Sequence, residues 1–305
     1  MSNVRIYEVT PRDGLQNEKA IVPTSDKLEI IQRLVAAGYK DIEVTSFVKP
    51  SWIPQLSDAT ELMRLLPTYE DVRYWALIPN TKGLERAIDV GIRNIATFMS
   101  VSGTHNRKNL NRTQKESLSN LRTVIQHAKS DNMKVRAYLS TVFGCPYEGH
   151  IPKEDSLRLS QSMLELGVDE IALGDTTGMG NPKQVQELLQ FFQQEGIPLS
   201  RIALHLHDTR GTALANAYAG YLCGVRTFDG STAGLGGCPY APGASGNAAS
   251  EDLVHFFHSM EEDTGIDLQR AAQNGVYLEQ LLNRVLPGRY YKYHKGSLQR
   301  KKTIA

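Results

Sequence analysis

The chain has little of what would tie it to an extracellular or membrane setting. Three of its 305 residues are cysteine, Cys145, Cys223 and Cys238, an odd number without C-x-x-C spacing, so no disulfide framework is expected and the thiols read as free in a reducing compartment. No apolar run approaches the ~18 residues of a membrane helix, which excludes a membrane partner. The opening Met1-Ser2-Asn3-Val4-Arg5-Ile6 enters an apolar pattern directly, with neither a signal peptide nor an Arg-rich transit segment, and the expected location is cytoplasmic. Charge of one sign is also missing. Lys+Arg total 34 against 33 acidic residues, so no global field favours nucleic acid, and a small-molecule partner is expected. The basic stretch from Lys292 to Lys302 reads as a solvated tail.

Hydrophobic residues at 41% and charged residues at 22% are ordinary globular usage, sufficient for a sizeable core. Short β-branched or aromatic runs alternate with segments of helical period along most of the sequence. Strands are expected at 4–9, 41–46, 73–78, 94–99, 134–141, 169–174, 202–207 and 225–230. Thr24-Ser25-Asp26 is expected to cap a helix with Leu28, Ile31, Leu34 and Val35 on one side and Gly38 as its stop. Further helices are expected at 82–90, 116–129, 154–166, 182–195, 211–223 and 251–262. Eight strands with crossover helices define an α/β chain forming a closed (β/α)8 barrel over 1–264, followed by a C-terminal extension over 265–305 with one helix near 267–284 and a polar tail. A doubly wound open sheet is the alternative, but no Gly-x-Gly-x-x-Gly follows the first strand.

Catalytic groups in such a barrel gather where strands end, so residues far apart in sequence are read together. The first strand leads into Thr10-Pro11-Arg12-Asp13-Gly14, the second carries Glu43, the sixth ends in Gly174-Asp175-Thr176, and the seventh carries His205-Leu206-His207 followed by Asp208. Residues i and i+2 of a strand face one side, so both imidazoles face one cavity, where with Asp13 they make three sides of a divalent-metal site. Asp175 and Asp208 each also read as helix caps, and Asp13 also reads as an ion-pair partner for Arg12. The segment Gly234 to Asn247 holds five glycines and two prolines just past the last strand, which marks it as an active-site loop. It carries Cys238. A second Gly-Cys-Pro-Tyr lies at Gly144 to Tyr147, and the richer glycine content favours Cys238 as the chemical copy.

Arg12-Asp13-Gly14-Leu15-Gln16-Asn17-Glu18, Glu43-Val44-Thr45-Ser46-Phe47-Val48 with Pro50, Trp52 and Pro54, Gly174-Asp175-Thr176, His205-x-His207-Asp208-Thr209 and the cysteine loop through Asn247 together resemble the 3-hydroxy-3-methylglutaryl-CoA (HMG-CoA) lyase family. The resemblance covers nearly the whole chain and weakens after about residue 262. It implies a TIM-barrel lyase that uses a divalent metal, Mg or Mn with Zn an alternative, to cleave HMG-CoA into acetoacetate and acetyl-CoA, usually as a homodimer. By motif, Asp13, His205, His207 and Asn247 are similar to its metal ligands. Arg12, Asp13, Glu43, Asp175, His205 and Cys238 are similar to its catalytic or supporting groups. In that chemistry Asp13 or His205 takes the hydroxyl proton, Arg12 faces the thioester enolate, Cys238 returns a proton, and Glu43 and Asp175 orient Arg12 and the metal-bound groups. Thr10 and Thr177 depart from the family's glycine and isoleucine, and Thr10 is expected to reshape the acyl pocket. Arg107, Lys108 and Asn109 are candidates for contacting CoA. A lyase for another branched hydroxyacyl-CoA, such as citramalyl-CoA, and a Claisen-type synthase are the competing activities. The short C-terminal extension favours a lyase over a synthase.

Overall fold

The computed structural model describes residues 4–237 and 246–304, with side chains as far as Arg300. Eight strands, β1 Arg5–Glu8, β2 Asp41–Ser46, β3 Arg73–Leu77, β4 Asn94–Ser100, β5 Lys134–Ser140, β6 Glu170–Asp175, β7 Ile202–Leu206 and β8 Thr227–Gly230, pair in chain order. All pairs are parallel, and β8 closes on β1 through the register Arg5↔Thr227 to Glu8↔Gly230. The closed (β/α)8 barrel is therefore present, and all eight expected strands occur in it. Strand ends differ by a few residues: β1 stops at Glu8, and His207 lies one residue past β7, held there by a bridge to Asn247.

Eleven helices are found among the described residues: α1 Thr24–Ala36, α2 Ala59–Leu65, α3 Thr81–Ile88, α4 Gly103–Leu110, α5 Gln114–Ser130, α6 Lys153–Glu165, α7 Pro182–Gln194, α8 Ala213–Cys223, α9 Ser250–His258, α10 Leu268–Leu281 and α11 Tyr290–Ile304. None is long and apolar enough to cross a membrane. Gly38 ends the α1 segment at φ +101, and a Cβ there would stand 2.5 Å from the Gly265 carbonyl oxygen, so chain reversal and close packing both require glycine. The expected cap on α1 is not formed. Pro23 precedes the first turn, and Thr24 instead donates its hydroxyl to Asp58 Oδ2 at 2.9 Å, tying α1 to the start of α2.

Three helices were not anticipated, and each for a local reason. α2 is short, and α4 (Gly-Thr-His-Asn-Arg-Lys-Asn-Leu) has almost no apolar face, so periodicity is silent for both. The supposed polar tail is α11. Its first turn is capped by Asp252, which accepts the amides of Arg289 at 3.0 Å and Tyr290 at 2.6 Å, while buried Tyr291 exchanges hydrogen bonds with Leu286 N at 2.9 Å and O at 2.8 Å.

Alternation along each strand sorts residues into an apolar outer layer and a polar lumen. On β2, Ile42 and Val44 join the core beneath the helices while Asp41 and Glu43 share the other face, before a register shift between Glu43 and Thr45 breaks the alternation; on β5, Val135, Ala137 and Leu139 pack outward while Arg136, Tyr138 and Ser140 point the other way. Arg136 is fully buried. Its guanidinium pairs with Glu170 Oε1 at 2.8 Å and Asp229 Oδ1 at 2.5 Å, and lies 3.8 Å from the Tyr7 ring centroid. Burying ions costs several kcal/mol each unless close partners and hydrogen bonds replace water, which this lumen provides.

The seam between α10 and α11 is equally tight, since a Cβ on Gly275 would meet Tyr291 Cβ at 2.7 Å and Cγ at 2.9 Å. The substitution Gly275→Ala is therefore expected to lower unfolding free energy by about 1–3 kcal/mol through overpacking, measured by urea denaturation. An unchanged midpoint would contradict this packing.

Candidate active site

The residue pair that opens the site is His205 and His207, whose rings stand 5.3 Å apart at the mouth of the barrel. Asp13 reaches them from the other end of the chain. It sits on a π-helical turn, Thr10–Gly14, whose first residues include Pro11, just after β1. One ligand atom from each of Asp13, His205 and His207 lies within 4.8 Å of the others, the single such three-residue group among the described residues. Asn247 donates its amide to Asp13 Oδ2 at 2.8 Å and to the Leu235 carbonyl at 3.1 Å. It meets the cluster through nitrogen, so ligation through Oδ1 requires the amide to be turned over.

The electrostatics prepare this cluster for a cation. Burial alone would raise the Asp13 carboxyl, but Arg12, then the two histidines and the Asn247 amide, hold it well below the usual carboxylate range. Burial, with His205 and Arg12 beside it, pushes His207 down to about 3 against the pull of Asp13, so its imidazole is neutral near pH 7. His207 Nδ1 is buried without a hydrogen-bond partner among the described residues. A carboxylate, two imidazoles and an orphaned ring nitrogen on neutral His207 fit a divalent metal.

His205 is oriented from behind. Its Nδ1 lies 3.0 Å from Asp229 Oδ2, and Nε2 is 4.0 Å from Asp13 Oδ2. Burial works against the Asp229 charge, but Arg136 and His205 hold that carboxyl below its ordinary value, so Asp229 accepts the Nδ1 proton and leaves the Nε2 lone pair toward Asp13. Sequence reading missed Asp229, Arg136 and Tyr138. The signal for Asp229 was a carboxylate at lumen parity on the last strand, which acquires meaning only through the β7–β8 register His205↔Asp229.

Arg12 is gripped on two sides, by Glu43 through Nε and by Asp13 through Nη1, with the Tyr138 ring centroid 5.4 Å away. Burial opposes its charge, yet Glu43 and Asp13 outweigh that and raise its pKa further, so it is permanently cationic. Glu43 is itself held by the hydroxyls of Tyr7 at 2.9 Å and Tyr138 at 2.7 Å.

Other expected residues fall differently. Asp175 has the parity of Ile171 and Leu173, not of the lumen, and its carboxylate accepts the amides of Met179 at 2.8 Å and Gly180 at 3.0 Å. Burial raises it to about 6 against those two bonds. It braces the β6–α7 connection, and no hydrogen bond to Arg12 is found among the described residues. Asp208 accepts the Ala213 amide at 3.0 Å at the start of α8, the capping alternative. Cys238 lies outside the described residues. The other Gly-Cys-Pro-Tyr copy is structural: Cys145 is buried and donates to Ser102 Oγ at 3.1 Å. Of the CoA candidates, Asn109 lines the cavity, while Lys108 Nζ rests 4.3 Å from the Tyr147 ring centroid.

The cavity above the cluster holds about 420 Å³ and is walled by Arg12, Asp13 and both histidines, with Leu77 and Phe98 as its apolar side. Asn17 and Gly237 line both it and a neighbouring groove of about 770 Å³, whose walls include Lys19, Arg284 and Lys292.

A closed parallel barrel with a carboxylate, two imidazoles and a clamped arginine at its mouth defines a barrel enzyme of the metal-site class. The HMGL-like family model matches residues 3–275, and the chain belongs to that family. It is 47% identical over 294 residues to a hydroxymethylglutaryl-CoA lyase of Bacillus subtilis, covering 96% of this chain and 98% of that one. It is 43% identical over 281 residues to the human mitochondrial hydroxymethylglutaryl-CoA lyase, covering 92% and 86%. The solved structure of an HMG-CoA lyase from Acinetobacter baumannii in complex with coenzyme A and 3-methylmalate superposes with a TM-score of 0.90 at 38% identity, covering 95% of this chain and 94% of that one.

Two substitutions test the cluster by cation binding alone, with Mn²⁺ titrated and the free ion followed by electron paramagnetic resonance. His207→Ala should abolish measurable binding, and Asp229→Asn should weaken it about 10- to 100-fold, the usual effect of losing a ligand's orienting partner. Wild-type affinity in either variant would refute the assignment.

Proposed function

We propose that this chain is a metal-dependent acyl-CoA carbon–carbon lyase that cleaves 3-hydroxy-3-methylglutaryl-CoA to acetoacetate and acetyl-CoA. The observation that carries the reading is the meeting of Asp13, His205 and His207 beside an arginine fixed on Glu43, in a chain of the HMGL-like family. Cleavage requires that the tertiary hydroxyl lose its proton while the departing two-carbon fragment takes up charge as a thioester enolate. A divalent cation, Mg or Mn by its oxygen preference, supplies Lewis-acid polarisation of the substrate hydroxyl when bound on Asp13, His205, His207 and Asn247.

The protein's own groups divide the remaining work. His205 Nε2 and Asp13 are the two proton acceptors in reach of the hydroxyl. Asp229 keeps the His205 proton on Nδ1, so Nε2 is the one lone pair of that ring and is committed when it ligates the cation; Asp13 has a second carboxylate oxygen to accept the proton, although Arg12 lowers its basicity. Arg12 has Nε and Nη1 engaged, which leaves Nη2 to face the thioester oxygen as charge develops there. Leu77 and Phe98 form the wall for the branched methyl carbon. Cys238 follows Gly237, which lines the cavity, and serves as the acid that protonates the enolate carbon. Asp175 supports the mouth by fixing the β6–α7 connection. The groove with Lys19, Arg284 and Lys292 offers cationic side chains to the phosphates of CoA. A homodimer is part of the same reading.

Acetyl-CoA release from HMG-CoA, assayed beside citramalyl-CoA and with and without EDTA, is the deciding experiment. HMG-CoA is expected to be turned over, citramalyl-CoA not, and chelation should remove activity until Mg²⁺ or Mn²⁺ is restored. Acetyl-CoA consumption with a 2-oxoacid and no cleavage would overturn the lyase reading. Arg12→Lys should lower kcat by about 100-fold or more with little change in KM, since a point charge cannot keep the Glu43 and Asp13 bonds and also meet the oxyanion.

A further inference from the structure

Glu8 has outward parity at the end of β1, Thr10 opens the π turn two residues on and hydrogen-bonds back to it, and neither lines the cavity. Both are fully buried. The departure from glycine at Thr10 therefore does not reshape the acyl pocket. Its hydroxyl is instead saturated by three partners. It donates to Glu8 Oε1, accepts the Thr232 amide at 2.6 Å, and meets Ser231 Oγ at 3.0 Å; with the single Thr10 proton committed to Glu8, Ser231 is the donor.

Glu8 widens the same tie. Its Oε1 also accepts the Thr10 amide at 2.9 Å and the Thr232 amide at 3.3 Å, and its Oε2 accepts the Ser250 hydroxyl at 2.5 Å. These partners bracket the glycine-rich segment, Ser231 and Thr232 at its start and Ser250 just beyond its end. The two flanks are zipped together by Ser231 N to Ala248 O at 2.9 Å and Ser250 N to Ser231 O at 3.0 Å. On the other side, Thr10 opens the π turn that carries Arg12 and Asp13. One hydroxyl thus joins the segment that supplies Asp13 to the segment that supplies Asn247.

We propose that Thr10 is a positioning residue: its hydroxyl, with Glu8, sets the spacing between the turn bearing Asp13 and the loop bearing Asn247 and so tunes the affinity of the divalent-cation site. The proposal rests on the metal-site reading of that cluster and not on which acyl-CoA is cleaved. Without the hydroxyl, the Thr232 amide keeps only its long bond to Glu8, and Ser231 loses its acceptor. The loop base is then free to shift relative to Asp13.

Thr10→Val keeps the side-chain shape and removes the hydroxyl, whereas Thr10→Ser keeps the hydroxyl. Titration of each purified protein with Mn²⁺, free ion followed by electron paramagnetic resonance, should show binding weakened about 3- to 10-fold in Thr10→Val and within about twofold of wild type in Thr10→Ser. Wild-type affinity in the valine variant, or an equal loss in the serine variant, overturns the proposal. Should the valine variant not fold, Ser231→Ala removes another arm of the same junction, and unchanged Mn²⁺ affinity there overturns it as well. Cation binding is read without substrate, so a failure of the lyase assay leaves this outcome unaffected.

Discussion

The buried guanidinium of Arg136 is the constraint on which the site depends. It is fully buried in the lumen, out of contact with bulk solvent, so Glu170 and Asp229 must stand where they do. Asp229 then has one oxygen for Arg136 and the other for both Arg136 and His205 Nδ1, and the imidazole is fixed in ring plane and tautomer. Tyr138 carries the same order to the other half. Its hydroxyl accepts from Arg136 at 3.0 Å and donates to Glu43, which grips Arg12. The His205 imidazole and the Arg12 guanidinium are thus positioned by one continuous network. Removing a single partner from such a network strands a buried charge, at about 3–5 kcal/mol, which is why its members are locked together.

That network also separates the two jobs of the barrel. Outward faces of the strands carry aliphatic residues that pack beneath the helices and supply the burial free energy. Inward faces carry charge and sacrifice some of it for preorganisation. Asp41 shows the same division away from the mouth, accepting from Arg73 at 2.7 Å and from the Trp75 indole at 2.8 Å inside the barrel. The network of Arg136, Asp229, Tyr138 and Glu43 is rigid because its donors and acceptors are paired with one another, and rigidity is what a site built from loop residues borrows from it.

Much of this was legible in the chain itself. The eight strands follow from β-branched runs separated by helical periods, and the shared face of His205 and His207 follows from spacing alone. The clustering of Asp13 with them followed from the rule that barrel strands deliver their functional groups at one end. What was not legible depended on register or parity. Asp175 ends a strand, as Asp229 nearly does, yet one faces outward to the β6–α7 amides and the other faces His205. A residue's nearness to a strand end does not say which. Thr10 stands away from the cavity for a related reason, since the π turn it opens directs its hydroxyl to Glu8 and Thr232, and nothing in the sequence signals that turn. The helix over Tyr290–Ile304 was hidden because its anchoring comes from Asp252 and Tyr291 and not from an apolar stripe of its own.

The Asn247–Asp13 hydrogen bond spans 234 positions of sequence and exists because β8 lies against β1. During synthesis on the ribosome, the aspartate emerges early and must wait for almost the entire polypeptide before its amide partner arrives. A chain that stops before residue 205 carries only Asp13 of the four proposed ligands, and one that stops before residue 247 lacks the Asn247 amide. On the proposed metal-site reading, capture of a cation is then a property of the finished ring.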